Sequence, residues 1–590
     1  MPATTPAPTP PTPALTRRDW LARAAAPMLA ATFAYPLLAG AAAPQSKIEN
    51  RESKIPSPAA AAIHDIRAYG AIAGGSAAVN TTAIQSAIDA AHAAGGGTVL
   101  IPAGVFLCGS IELKSNVTLH LAPQATLLGS PRPADYHAGR ALPSGNGNMV
   151  FISAADADNI TIEGAGAIDG NGLAFYTGQG DNTGPGQNSA KGYTQRPHLL
   201  IFARCKNLRI QDTFLSASAY HCLRVLDCEY VWFERVRIHN RVNKNNDGFH
   251  FVSSRHVHVN ACDVRCQDDA CALFGSNKNV TISNSTFSTR WSIFRFGGGE
   301  CENILVTNCL IYETYGCPIK MSCRANSRFE NMLFSNLVLR DVTGPISISL
   351  SSAPRHPAPA ASAAPDPALA QSKIENRKSK IPRGIVRNIS FENIRGNVVA
   401  HGRQYPDMHW EQGYRPGEDR TCITLNAVEG DLLENISFSN IHLTFEGGGT
   451  LAEAQRDIPQ IAGEYFEIGD RPAYGLYARN VRTLTLDNVR LETATPDLRP
   501  AVVLDNITDA TLSTLATQGN PSAPSTLRLI NTTDTLIAAP RLLTPAAVYL
   551  AVEGERSANI TLLPGDTRKA ATQVTHTRGA TPKSTHLPIQ

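Results

Sequence analysis

Residues 266–276 read CQDDACALFGS, which sets Asp268 and Asp269 side by side at the mouth of a short apolar run. Adjacent aspartates repel each other and are poor strand formers, so a local folding preference does not explain them. A third carboxylate, Asp247, lies 22 residues before Asp269 within Asn245-Asn246-Asp247-Gly248. Three carboxylates held within several Å cannot all ionise, so one keeps its proton near neutral pH while its neighbours stay charged. A protonated acid beside ionised carboxylates is what cleavage of a glycosidic bond requires: one group protonates the leaving oxygen and another activates water. The question is whether the chain brings these groups together.

The elements that would do so are written as a repeat. A polar residue followed by apolar-any-apolar, often with Asn or Asp two positions on, recurs as NVTLHL (from Asn116), NITIEG (Asn159), NLRIQD (Asn207) and HVHVNA (His256). It continues as NVTISN (Asn279), NILVTN (Asn303), NMLFSN (Asn331), NISFEN (Asn388), NISFSN (Asn435) and TLTLDN (Thr483). The starts at 256, 279, 303 and 331 are 23, 24 and 28 residues apart. Period-two alternation gives strands with one buried face. A strand repeat of this length is too short for a propeller blade and lacks the leucine-rich-repeat signature. It fits one turn of a parallel β-helix whose turns stack about 4.8 Å apart. The expected fold is therefore all-β: a single-stranded, right-handed parallel β-helix. Stacked Asn side chains would hydrogen-bond from turn to turn. Near the N-terminus, TTAIQSAIDAAHAAGGG predicts a short capping helix with Ala83, Ile84, Ala87 and Ile88 on one face.

Consecutive coils can be set in register through the pairs Phe249/Phe251, Cys271/Leu273, Phe294/Phe296 and Ile319/Met321, whose first members are 22, 23 and 25 residues apart. This alignment stacks Asp247 on Asp269 and Asn246 on Asp268. It places Arg295 and Lys320 on the same outer face, one and two coils further on. His221 falls 26 residues before Asp247, about one coil earlier. The cations would complement an anionic substrate such as a uronic acid. Two other readings compete: turn chemistry at Asn-Asp-Gly and Asp-Asp, and a calcium cluster of Asp247, Asp268 and Asp269. The stacking with Arg295 and Lys320 favours catalysis, with no metal or other cofactor.

Over 590 residues the chain is 43% hydrophobic and 17% charged with a formal charge of +3, which implies neither a nucleic-acid nor an anionic-membrane partner. Thr16-Arg17-Arg18-Asp19-Trp20-Leu21 precedes an apolar stretch and small residues at Ala39–Ala43, a pattern resembling a twin-arginine export signal. The stretch is interrupted by Pro27 and Pro36, which disfavours a stable membrane span. The expected organisation is an export signal (1–44), a linker (45–60), a β-helix domain (61–545) with an inserted low-complexity loop at about 352–383, and a C-terminal strand with a flexible tail (546–590). The protein is expected to be a monomer, exported to the periplasm or beyond. The twelve cysteines include no Cys-x-x-Cys pair, and several fall where interior apolar residues are expected. The segment QSKIENRESKIP at 45–56 returns as QSKIENRKSKIP at 371–382 with one difference, and reads as inserted sequence in a linker and a loop.

From about Ile63 to Asp505 the chain resembles glycoside hydrolase family 28, the polygalacturonase-like enzymes. The resemblance is carried by TAIQSAIDAA, GGGTVLIPAG, SNVTLHLAPQATLLGS, Asn245-Asn246-Asp247-Gly248 and Asp268-Asp269. It implies Asp268 as the general acid, with Asp247 and Asp269 positioning and deprotonating water in an inverting hydrolysis of pectic polysaccharide or oligosaccharide. Where the family has Gly-His-Gly this chain has Thr289-Arg290-Trp291-Ser292, and the family's Arg-Ile-Lys is Pro318-Ile319-Lys320. The Lys matches; Arg295 or Arg290 would stand in for the missing Arg. These departures point to a variant specificity, such as rhamnogalacturonan or exo-acting release of a terminal sugar, with the Gly172–Arg196 loop walling off one end of the groove. The alternatives are a polysaccharide lyase on the same scaffold and a non-catalytic carbohydrate-binding β-helix.

Overall fold

The computed structural model describes residues 62–139, 149–176, 196–352 and 382–588. The export signal, both QSKIENR copies apart from Pro382, and Gly172–Arg196 between 177 and 195 lie outside the described residues. From Ala60 onward the chain forms one unit. The architecture is the parallel β-helix that the repeat predicts.

Each early coil contributes one strand to each of three parallel faces. One face runs through Gly97–Ile101, Val117–Leu121, Asp158–Glu163, Lys206–Gln211, Glu229–Glu234, Arg255–Asn260 and Lys278–Ser283. A second runs through Met149–Ala155, His198–Ala203, Leu223–Leu226, Phe249–Val252, Cys271–Phe274, Ser292–Gly297, Cys317–Arg324 and Ile346–Ser351. The third contains Phe214–Ser216, Arg237–Asn240, Asp263–Cys266 and Thr286–Thr289. From Glu300 onward the first and third faces join in long bent strands such as Glu300–Thr314 and Arg328–Val342.

Asparagine sets the corners. Asn279, Asn303, Asn331, Asn388 and Asn435 all adopt φ between 53° and 59°. Asn tolerates this left-handed conformation better than most residues. Their amides also bond along the solenoid, Asn303 to Asn279 (3.0 Å), Asn388 to Asn331 (3.1 Å) and Asn435 to Asn388 (2.9 Å). A second ladder joins Asn284, Asn308, Asn336, Asn393, Asn440 and Asn488. The repeat's polar residue thus satisfies a backbone requirement and a side-chain one together.

Inside, period-two alternation buries one continuous core. Phe334, Phe391 and Phe438 stack with ring centroids 5.3 and 4.9 Å apart. All twelve cysteines are buried and unpaired, acting as small apolar fillers. The cap is helix α1 (Ala77–Ala93), started by Ser76 and buried through Ala83, Ile84, Ala87 and Ile88, as predicted. At the other end the expected C-terminal strand is Ala546–Glu553, and further strands follow it where a tail was expected. Ala546–Glu553 pairs in parallel with Leu527–Ile530 and then with Ala570–Thr577, because Leu550, Val552, Ile560 and Leu562 continue the alternation and bury. Ser352 and Gly384, which bracket the inserted segment, are joined by a 2.9 Å hydrogen bond. Among the described residues no helix is long and apolar enough to cross a membrane.

The corner account makes a stability prediction at Asn388, an exposed residue with φ 57° bonded to the coils on both sides. Asn388→Ala should destabilise by about 1–3 kcal/mol, combining left-handed strain with a lost hydrogen bond. Asn388→Gly relieves the strain and should be milder. Thermal denaturation of both variants checks this, and equal losses would show that the ladder alone matters.

Candidate active site

The predicted register is the observed one. Phe249 pairs with Cys271, Cys271 with Phe294 and Phe294 with Ile319. The outward column therefore runs Arg224, His250, Ala272, Arg295, Lys320 and Ser347. The turn that enters each of these strands carries the carboxylates. Gly248 donates its N–H to the Asp269 carbonyl (2.9 Å) and Cys222 donates to the Asp247 carbonyl (3.1 Å), which stacks His221, Asp247 and Asp269 on successive coils.

Asp247 and Asp269 are 4% and 7% exposed, while Asp268 is half-buried and faces the cleft. Asp268 Oδ1 accepts from the Asp269 N–H (2.9 Å) and Oδ2 from the Asn245 amide (3.2 Å). The Thr289 hydroxyl donates to its carbonyl. Asp269 Oδ1 is buried and accepts no hydrogen bond among the described residues, which leaves a lone pair for a water molecule during reaction. Burial, then the charges of Asp247 and Asp269, push the Asp268 carboxyl well above the usual carboxylate range. Burial and the Asp269 charge do the same to Asp247. Burial and mutual repulsion thus favour the protonated forms of Asp268 and Asp247, as expected of crowded carboxylates.

His221 reaches this cluster as predicted, with Nε2 3.7 Å from Asp247 Oδ1. A second imidazole does so more closely: His250 Nδ1 lies 2.9 Å from Asp247 Oδ2. Burial and the nearby Arg224 push His250 down to about 4, and burial with His198 and His250 drives His221 well down. Burial thus favours the neutral form of both rings, and His250 is a hydrogen-bond partner of Asp247. His221, Asp247 and His250 carry donor atoms close enough to suggest a metal site. The two rings stack 4.9 Å apart at 12°, however, and aim their in-plane lone pairs along parallel planes rather than at one point. That geometry suits hydrogen bonding to a carboxylate better than chelation.

Three other expectations need correction. Asn246 is fully buried: its Oδ1 accepts from Val242 and Asn243, and its Nδ2 donates to the Ser218 and Tyr220 carbonyls. All its hydrogen-bonding capacity shapes the turn, and Asn245 is the residue that touches Asp268. Arg290 is 3% exposed, paired with Glu418 (2.8 Å) and bonded to the Tyr315 and Gly413 carbonyls, so it anchors the 399–422 segment rather than facing the cleft. Arg295 and Lys320 do stand on the predicted face, but not as free cations. Both are claimed by Glu464, at 2.8 Å and 3.1 Å.

Glu464, Trp291 and the cleft walls were not legible in the repeat. Glu464 belongs to an irregular segment 456–475 with no register to align. Lys320 Nζ lies 4.3 Å from the Trp291 ring centre. On the other side of the cleft, Asp407 ties to His239 (2.9 Å) and Arg241 (3.1 Å), and Trp410 stacks on Tyr176 at 5.5 Å. Segments 399–422 and 171–176 thus meet.

Comparison with known proteins agrees with this arrangement. Residues 94–364 match the family described as glycosyl hydrolases family 28. An exo-poly-alpha-D-galacturonosidase of Dickeya chrysanthemi is 31% identical over 40% of this chain and 42% of its own length. An exopolygalacturonase of Oenothera organensis is 27% identical over 53% of this chain and 80% of its own. Among solved structures, the family 28 exopolygalacturonase of Yersinia enterocolitica superimposes with a TM-score of 0.53 at 19% identity, over 76% of this chain and 78% of that one. The coil register and the paired aspartates thus fall within the stretch, residues 94–364, that matches glycosyl hydrolases family 28.

Proposed function

We propose that the protein is a glycoside hydrolase of pectic polysaccharide or oligosaccharide. The observation that carries this reading is the stack of Asp247 on Asp269 beside Asp268, with burial and mutual repulsion holding protons in the cluster. Asp268, half-exposed and protonated, delivers its proton to the leaving oxygen. Asp269, with its unengaged Oδ1, and Asp247, oriented by His250, position and deprotonate water, so the sugar is released with inverted configuration. A lyase that used Arg295 or Lys320 as its base is disfavoured, because both are paired with Glu464. The names of the Dickeya and Oenothera relatives support exo action. Export through the twin-arginine-like stretch fits a polymer substrate outside the cell.

Three measurements test this reading. Asp268→Asn should lower kcat by at least the roughly 10²–10⁴-fold that a positioned acid contributes, with the thermal midpoint preserved. Near-normal turnover in the folded variant would remove Asp268 as the proton donor.

The pH profile carries a sign. Asp268 must be protonated to act, so kcat/KM should fall as pH rises through its elevated pKa. The Asp247 charge helps hold that pKa up. In Asp247→Asn the alkaline limb of the residual activity should therefore move to lower pH. A limb unmoved by this change would mean that another group sets it.

Exo action predicts that mono- or disaccharide is released from the first turnovers while polymer viscosity falls slowly. A ladder of intermediate oligosaccharides at early times would show endo cleavage.

A further inference from the structure

Three cations stand on the catalytic face: Arg224 next to His250, and Arg295 and Lys320 further along, of which Lys320 and Arg295 are 1% and 7% exposed. Arg295 spends one Nη on the Phe296 carbonyl (3.1 Å) and the Ser322 hydroxyl (2.9 Å) and the other on Glu464 (2.8 Å). Lys320 faces the second oxygen of Glu464 and the Trp291 ring. Burial raises the Glu464 pKa, but Lys320 and Arg295 outweigh it and bring it down to about 2, so this residue is an anion throughout the working range.

Glu464 does not ride on a loose flap. The preceding carbonyl, that of Gly463, accepts from Ser322 (3.4 Å) and Ser349 (3.0 Å), both on the catalytic face itself. The following residue, Tyr465, is 3% exposed and meets Trp291 edge-on at 6.0 Å. The carboxylate that neutralises Lys320 and Arg295 is thus part of the wall.

One cation beside this group is differently placed. Arg415 is half-buried, lies 5.2 Å from the Trp291 ring centre and 4.8 Å from that of Phe466, and its guanidinium makes no hydrogen bond or ion pair among the described residues. A guanidinium beside aromatic rings with no other polar partner keeps N–H groups available for a carboxylate, which it can receive in two parallel hydrogen bonds. We infer that Arg415, on the Trp291–Phe466 platform, binds the carboxylate of a uronic-acid residue in the substrate, while Lys320 and Arg295 serve the internal anion Glu464. This rests on the pectic-substrate reading above. It moves acid recognition from the repeat to the 399–422 segment.

The test uses the Asp268→Asn protein, so that ligands bind without turnover, and titrates it calorimetrically with oligogalacturonate and with its methyl ester. The acid should bind more tightly than the ester. Adding Arg415→Gln should remove about 10–150-fold of that preference, the range for losing a charge-assisted hydrogen-bonded pair. The ester's own affinity should move far less. Adding Glu464→Gln instead should raise acid affinity, because it frees Lys320 and Arg295. An acid-to-ester ratio unmoved by Arg415→Gln would overturn the inference while leaving the hydrolase reading intact. Binding of neither ligand, together with no hydrolysis by the unsubstituted enzyme, would overturn both.

Discussion

Everything in this molecule depends on the register between neighbouring coils. Parallel strands stacked about 4.8 Å apart convert a sequence offset of 22 to 26 residues into direct contact. Asp247 and Asp269 meet only because Phe249 pairs with Cys271, and Arg295 and Lys320 share a face only because Phe294 pairs with Ile319. A slip of one residue would turn these side chains into the core and the phenylalanines out. The apolar ladder and the two asparagine ladders forbid that slip independently. The site's electrostatics are therefore a product of packing: carboxylates that would separate in water are held together by hydrophobic contacts beneath them.

What could be read from the sequence follows the same boundary. The Asn-apolar-any-apolar repeat specifies the fold and the stacking of Asp247 on Asp269, and the helical spacing of Ala83, Ile84, Ala87 and Ile88 specifies α1, since each obeys a period that can be counted. His250, between Phe249 and Phe251, falls on the outer column by the same counting, yet its role depends on a 2.9 Å contact with Asp247 that no period encodes. Asn246 shows the opposite limit: stacking put it next to Asp268, but an amide with four backbone partners in reach is drawn into its own turn. Glu464 and Arg415 lie in irregular segments, where position follows from tertiary contacts that the sequence does not write in any repeating form. The end of the solenoid was misplaced because short, Ala- and Thr-rich strands after 546 carry a weak alternation.

The two walls of the cleft divide the work with the scaffold. The repeat supplies rigid carboxylates whose protonation is set by depth. The irregular segments supply compensating charge, Glu464 to Lys320 and Arg295, and Glu418 to Arg290. Buried cations left single would raise a large desolvation penalty, and pairing removes it. Specificity can then vary through the walls while the catalytic stack stays fixed, which is how a loop exchange alters recognition on a constant fold.

The hydrogen bond between Ser352 and Gly384 has a different bearing, on the history of the chain. Two points that close together act as a hinge pin: whatever is spliced between them leaves the coils on either side in their original alignment. Because closing a loop grows dearer only with the logarithm of its length, each doubling adds just about 0.6 kcal/mol. Such a junction is a port at which the gene can acquire or lose sequence without refolding the solenoid, and the same position offers a graft site for an affinity tag or a second domain.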